Sequence, residues 1–421
     1  MKKRQFLKRL GQAAVATTFV PIAGRGQETI ETVTPYPKGD GEDFWARIRQ
    51  DFELKPDYIN LENGYYCISP KPVMEKLHDF TQMVNYEGSY YMRNYQWDNK
   101  EKVTARLAKF VGCNPNSLAI TRNTTESLDL IIGGFPWKTG DEAVFANQDY
   151  GAMKDHFYMV RDRYGVVCNE ISIPNHPKSD EEIVALYESK ITPKTKLLMV
   201  CHMINITGHV LPIRKICDMA HSHGVQVMVD GAHAVGHIEV NISELDCDYY
   251  GSSLHKWLNA PLGVGLLYVS PKHIPHIWPL LAEYGRKPGD ILRLNHIGTN
   301  PVHIYLAIEA AIDYLEGIGI QKKEKRLRFL QKYWSDRLRD VPNVVVNTPV
   351  EAKRSCGIAN VGIAHIPPQL LAETLLDEFG IWTVAIDGFN VHGCRITPNI
   401  YTTTKELDVF VKAMKTLAKR T

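Results

Sequence analysis

An aspartate and a lysine stand at the ends of two neighbouring apolar runs. Asp230 directly follows Val225–Val229, and Lys256 closes the stretch Ser252-Ser253-Leu254-His255-Lys256-Trp257 that follows Tyr249–Gly251. A lysine set among Leu, His and Trp is partly desolvated, which favours the neutral amine that condenses with carbonyl compounds. An acid ending a buried strand is costly unless a cation or hydrogen-bond donor pairs with it. A protonated pyridine nitrogen is such a partner, and the pair keeps an aromatic ring an effective electron sink. A third strand end, after Ser117–Thr121, carries Arg122-Asn123-Thr124-Thr125-Glu126. Here Asn123 caps a helix, Glu126 completes a box-like pattern, and two hydroxyls beside free backbone N–H groups suit a phosphate. Each feature also has an ordinary reading: a surface lysine, a helix-capping aspartate, a simple capped helix. Their shared position carries the argument, because open parallel sheets bind ligands at the carboxyl ends of their strands.

The elements that must position these residues can be read from hydrophobic pattern. Strand candidates are Ser117–Thr121, Ala143–Ala146, Val166–Ile173, Lys196–Cys201, Val225–Val229, Tyr249–Gly251 and Gly265–Val269. They alternate with helical stretches such as Glu126–Ile132, Ser179–Lys190 and Ile213–His221, the signature of a doubly wound α/β sheet. Ile304–Gly317 and Lys322–Leu338 read as long helices. Beyond Pro342, strand-like Val344–Val346, Ile358–Ile363 and Trp382–Ile386 mix with helices Pro368–Phe379 and Thr404–Ala418, giving a smaller α+β domain. The expected plan is an export signal at residues 1–26, an N-terminal arm and entry helix at 27–100, a large domain at 101–300, linking helices at 301–340 and a small C-terminal domain at 341–421.

The chain has 421 residues, 44% of them hydrophobic, enough for two or three domains. A net charge of +2 without a basic segment in the core gives no nucleic-acid-binding surface. Lys2, Lys3, Arg4, Lys8 and Arg9 precede a mild apolar run from Ala13 to Ala23, too short for a stable membrane span. Lys3-Arg4-Gln5-Phe6-Leu7-Lys8 resembles the twin-arginine (Tat) export signal with Lys in place of the first Arg, so a periplasmic protein is expected, the alternative being a basic tail on a cytoplasmic one. The eight cysteines are scattered without a C-x-x-C pair and predict no disulfide scaffold. The pairs His221/His223 and His233/His237 lack an evident third ligand, so no metal site is expected.

Val229-Asp230-Gly231-Ala232-His233 and Ser253-Leu254-His255-Lys256-Trp257 resemble the class V aminotransferase group of fold-type I pyridoxal-phosphate enzymes, over a span from about Ile59 to the C-terminus. The resemblance implies a mainly parallel seven-stranded sheet flanked by helices, plus the small C-terminal domain, and pyridoxal 5'-phosphate as cofactor. It implies that Lys256 holds the cofactor as a Schiff base and moves protons at the substrate Cα, while Asp230 bonds the ring nitrogen. Thr124, Thr125 and Ser253, with the helix start at Asn123, would hold the phosphate. Tyr150 takes the place of the residue that stacks on the ring, and Asn205 and His233 would lie near the phenolic oxygen and the substrate. Gly298-Thr299-Asn300 resembles a loop that reaches a partner subunit's cofactor, which implies a homodimer with Thr299 in that role. Arg395 looks like the arginine that clamps the substrate carboxylate. Loop packing for Tyr150 and Asn205, and a surface salt bridge for Arg395, are the ordinary alternatives.

The reaction is less constrained, since one cofactor serves several outcomes and the protein selects by positioning. Cysteine desulfurases of the group carry a nucleophilic cysteine on a loop before the arginine. The stretch Ile386–Gly393 is short and cysteine-free, and Cys394 directly adjoins Arg395, which argues against a thiolate-dependent desulfurase. The motifs resemble isopenicillin N epimerase-like proteins most, implying epimerisation or transamination of an amino acid or amino-acid-like small molecule. A C–S lyase and a cofactor-binding protein without catalysis are the alternatives. Arg93 and His296 are candidates for contact with the distal part of a substrate.

Overall fold

The computed structural model describes residues 39 and 41–420; the expected export signal lies outside the described residues. All seven strand candidates form strands of one sheet: β1 (Leu118–Thr121), β2 (Glu142–Ala146), β3 (Val167–Ile171), β4 (Thr195–Cys201), β5 (Gln226–Asp230), β6 (Tyr249–Ser253) and β7 (Gly265–Val269). Their order is β1-β7-β6-β5-β4-β2-β3. The five from β3 to β6 pair in parallel, whereas β7 runs antiparallel to both β6 and β1. Side chains alternate across the pleat, so each strand feeds a core on both faces. Leu198, Val200, Val227, Val229 and Tyr250 join one buried cluster with the helices Lys71–Glu87, Gln96–Phe110 and Val302–Ile318. Leu197, Met199, Met228 and Tyr249 join the other with Thr124–Gly134 and Gly151–Tyr164.

A four-stranded antiparallel sheet forms the smaller C-terminal domain. Its strands are β8 (Val344–Val346), β9 (Ala359–Ile363), β10 (Val384–Gly388) and β11 (Val391–Ile396), in the order β10-β11-β9-β8. Helices Pro368–Phe379 and Thr404–Leu417 cover it. Two segments differ from the sequence reading. Residues 42–110, read as turns, an arm and one entry helix, contain four helices: Glu42–Arg49, Lys71–Glu87, Ser89–Asn94 and Gln96–Phe110. Many aromatic residues of this segment sit on these helices, Tyr86 and Tyr90 among the exposed ones, while the stretch from Tyr58 to Pro70 between the first two helices is largely irregular. The short loop read at Ile386–Gly393 is a β-hairpin whose two-residue turn, Phe389-Asn390, has φ of 54° and 62°. Both residues being left-handed is the geometry of tight hairpin turns, but a Phe at the first position gives no sequence signal for it.

Asp248 pins the amino ends of β5 and β6. Its carboxylate accepts the Val227 N–H at 2.8 Å and bonds His273 at 2.7 Å, His221 at 2.8 Å and Lys272 at 3.0 Å. Burial alone would raise its pKa, but the bonds from His273, Val227, His221 and Lys272 outweigh it and hold the carboxyl well below the usual range. A depressed folded pKa stabilises the fold above the unfolded value of about 4 and loses that contribution as the pH falls further. Asp248→Asn should therefore lower the urea midpoint at pH 7, by a stability loss of about 3 kcal/mol. The gap to wild type should narrow in denaturation curves taken below about pH 4.

Candidate active site

The register of the parallel strands decides what meets at their carboxyl ends. Cys201, Asp230 and Gly251 are successive cross-strand partners in β4, β5 and β6. Beyond them a cavity of about 310 Å³ opens, lined by Asn123, Thr124, Thr125, Tyr150, Asn205, Asp230, His233, Ser253, Lys256 and Arg395. The residues expected to hold the cofactor and the substrate carboxylate, Thr299 excepted, thus meet in one place. Thr299 is exposed and outside the cavity of its own chain, as are Arg93 and His296, the latter paired with Glu283.

Asp230 is buried, and its Oδ1 accepts the Ala232 N–H at 3.0 Å. Burial raises its pKa against that bond and the charge of Lys256. Burial likewise pushes Lys256 down to about 8, with Asp230 opposing and Arg395 assisting. The Lys256 Nζ lies 3.1 Å from His233 Nε2. On the other wall, Ser253 Oγ meets the Thr124 N–H at 2.9 Å and Thr124 Oγ1 at 2.7 Å. A side chain at Gly265 would place its Cβ 2.8 Å from the Asn123 Cα, so glycine there lets β7 and the helix start close on each other. Asn123 caps that helix through Glu126 N–H at 2.8 Å. The expected box is displaced by one residue, because Glu126 returns its carboxylate to the N–H and guanidinium of Arg122 rather than to Asn123. The charge on Arg122 draws it there.

Arg395 shows what the sequence reading missed. Its Nε and Nη2 donate to the two oxygens of Glu62 at 3.1 and 2.5 Å, and its Nη1 donates to the Asn205 carbonyl at 3.3 Å. Gly64 makes room for it: a Cβ there would lie 2.6 Å from the guanidinium carbon. These bonds engage three of the guanidinium's five N–H donors, which leaves one on Nη1 and one on Nη2. Glu62 lies far from every motif in the sequence, and no local pattern marks it.

A seven-stranded sheet with one reversed strand, a small C-terminal domain and a cavity where Lys256 faces Asp230 define a fold-type I pyridoxal-phosphate enzyme. The family model described as Aminotransferase class-V matches residues 67–410, and the chain belongs to that family. It is similar to the isopenicillin N epimerase of Amycolatopsis lactamdurans, at 28% identity over 89% of this chain and 99% of that one. It is also similar to a probable cysteine desulfurase of Halalkalibacterium halodurans, at 27% identity over 77% of this chain and 82% of that one. A solved mutant of C-DES, with glycine covalently linked to the PLP cofactor, superposes with a TM-score of 0.80 at 20% identity, covering 89% of this chain and 99% of that one. Pyridoxal 5'-phosphate is the cofactor the family indicates, and the residues fit it. A buried carboxylate can pair with a ring nitrogen, an amine pushed toward neutrality can take an aldehyde, and paired hydroxyls at a helix start can take a phosphate.

If Glu62 fixes the guanidinium, Glu62→Gln should raise KM for an amino-acid substrate about tenfold while kcat stays within about threefold, as loss of binding common to ground and transition states does. Steady-state kinetics on the holoenzyme would check this.

Proposed function

We propose that this chain acts at the Cα of an amino acid or amino-acid-like substrate, by epimerisation or transamination, with pyridoxal phosphate bound in the cavity. The observation that carries the reading is the convergence of Asp230, Lys256 and Arg395 on one cavity at the carboxyl ends of adjoining strands. Bound pyridoxal phosphate supplies the electron sink that makes a Cα proton removable. Asp230 holds positive charge at the ring nitrogen. Thr124, Thr125 and Ser253, with the N–H groups of the helix capped by Asn123, bind the phosphate. Tyr150 covers a ring face from the mouth, and Asn205 and His233 contact the polar edge of the ring and the substrate. Arg395 fixes the substrate carboxylate and so sets which Cα bond faces Lys256, the group that takes and returns the proton.

The similarity to isopenicillin N epimerase over nearly the full length supports proton chemistry at Cα. Against a thiolate-dependent route, burial pushes the Cys67, Cys356 and Cys394 thiols up to about 12 and raises Cys201 on the cavity wall further. The hairpin turn at Phe389-Asn390 also leaves no loop there to carry a nucleophile.

Borohydride reduction of the holoenzyme should fix the cofactor on Lys256 and bleach its visible band, and Lys256→Ala should show neither. Incubated with a panel of amino acids in deuterated water, the enzyme should place deuterium at Cα. Loss of chirality marks epimerisation and keto acid marks transamination. Pyruvate with released sulfur would support the C–S lyase instead, and no exchange with any amine would overturn the enzyme reading.

We further infer a homodimer in which Thr299 of one protomer reaches the cofactor cavity of the other. Supporting it, Thr299 is exposed, and Tyr65, Tyr86, Tyr90, Trp97, Trp278 and Tyr284 are exposed large apolar side chains of the single chain. Light scattering should give twice the chain mass, and Thr299→Ala should weaken cofactor retention at least about tenfold, the loss of one hydrogen bond to a charged group.

A further inference from the structure

Behind Lys256 the cavity wall is built from rings whose protonation is dictated by their neighbours. The Gly357 backbone N–H donates to His237 Nε2 at 2.8 Å, so that nitrogen is an acceptor. The proton of a neutral His237 therefore sits on Nδ1, which lies 2.9 Å from the His233 carbonyl oxygen and donates to it. The Trp257 indole stacks on His237 with centroids 3.7 Å apart and planes 26° from parallel. An indole N–H can only donate, and that of Trp257 points at His233 Nδ1 from 3.2 Å. His233 Nδ1 is thus an acceptor too, which puts the proton of a neutral ring on Nε2, 3.1 Å from the Lys256 Nζ. Neutrality follows from the setting: burial, then the charges of Lys256 and Arg395, push His233 well below the usual imidazole range. The backbone of Trp257 is held as firmly as its ring, since the buried Lys323 Nζ donates to its carbonyl at 2.5 Å and to Asn259 Oδ1 at 2.9 Å.

We infer that Trp257 is a positioning residue that locks His233 in its neutral Nε2–H tautomer, so that His233 presents a hydrogen-bond donor, and never a base, to Lys256 and to whatever is bound beside it. The inference rests on the function proposed above for Lys256. A neutral lysine amine accepts such a bond through its lone pair. If the His233 proton moved to Nδ1, Nε2 would offer a lone pair instead and would favour the charged lysine. A glutamine at position 233 would keep a donor in reach whatever Trp257 did, because its amide carries N–H groups of its own.

Nitrogen-15 NMR of the full-length protein with labelled histidine tests the tautomer directly. His233 Nε2 should give the protonated, pyrrole-type signal and Nδ1 the pyridine-type signal. Trp257→Phe keeps an aromatic ring against His237 but removes the N–H together with part of the indole's bulk, so the two signals should shift toward each other as the tautomers mix. The Cα-exchange rate should fall about tenfold, the scale of one lost buried hydrogen bond. In a His233→Gln background the same Trp257→Phe change should cost less than about twofold, because the tautomer it controls is gone. A wild-type His233 protonated at Nδ1, or a Trp257→Phe loss of the same size in both backgrounds, would overturn the inference. The NMR readout on wild type depends on no variant folding. Failure of borohydride to mark Lys256 would instead sink the proposed function and leave the tautomer result standing.

Discussion

The site depends on holding an amine and a carboxylate at the water-poor ends of two adjoining parallel strands. Each group alone would be driven to neutrality by burial, Lys256 by losing a proton and Asp230 by gaining one. Parallel pairing fixes their relation, because β5 and β6 run in the same direction with Asp230 opposite Gly251, five residues before Lys256. The reversal of β7 serves the same end. Running back along β6, it starts at the ligand end of the sheet, where Gly265 lies against the helix that carries Thr124 and Thr125. The carboxyl ends of these strands thus deliver the lysine, the acid and the helix start at Thr124 to one opening without a long loop.

Much of this was legible in the sequence. Period and bounding turns located all seven strands of the main sheet, since parallel strands buried on both faces read as short continuous apolar runs such as Val225–Val229. Asp230 and Lys256 stood out because polar groups immediately beyond such runs need a reason. What stayed hidden was whatever depends on partners remote in the chain. Glu62 reaches Arg395 across 333 positions, and Lys323 reaches the Trp257 carbonyl across 66. Nothing in either local stretch announces the contact. Trp257 was visible only as apolar company for Lys256, while its polar edge and its hydrogen bond to His233 became meaningful in three dimensions. The hairpin at Phe389-Asn390 was missed for a different reason: its turn uses a residue that rarely takes a left-handed conformation.

The charged groups of the cavity act on one another as well as on their direct partners. Arg395 is paired with Glu62, both side chains largely buried, yet its charge still bears on the lysine amine and helps to push its pKa down. Lys323 has neutral oxygens as its hydrogen-bond partners and is pushed by burial to about 8, a second buried amine of low basicity, held against the backbone of the residue next to Lys256. In this chain the segment before Arg395 is a rigid two-strand turn whose Phe389 ring packs over the Lys154 ammonium at 4.0 Å.

The clamp proposed for a substrate carboxylate joins Glu62, Asn205 and Arg395, near the beginning, the middle and the end of the described chain. The surfaces assigned to the cofactor lie between Asn123 and Lys256. A chain emerging from the ribosome therefore carries its own share of the proposed cofactor pocket well before its last strands exist, whereas the proposed clamp must await β11. Contacts of such long sequence separation are also the slowest to form. The order of synthesis thus separates two kinds of competence in time: the capacity to hold a reactive cofactor comes first, and the capacity to select what reacts with it comes last.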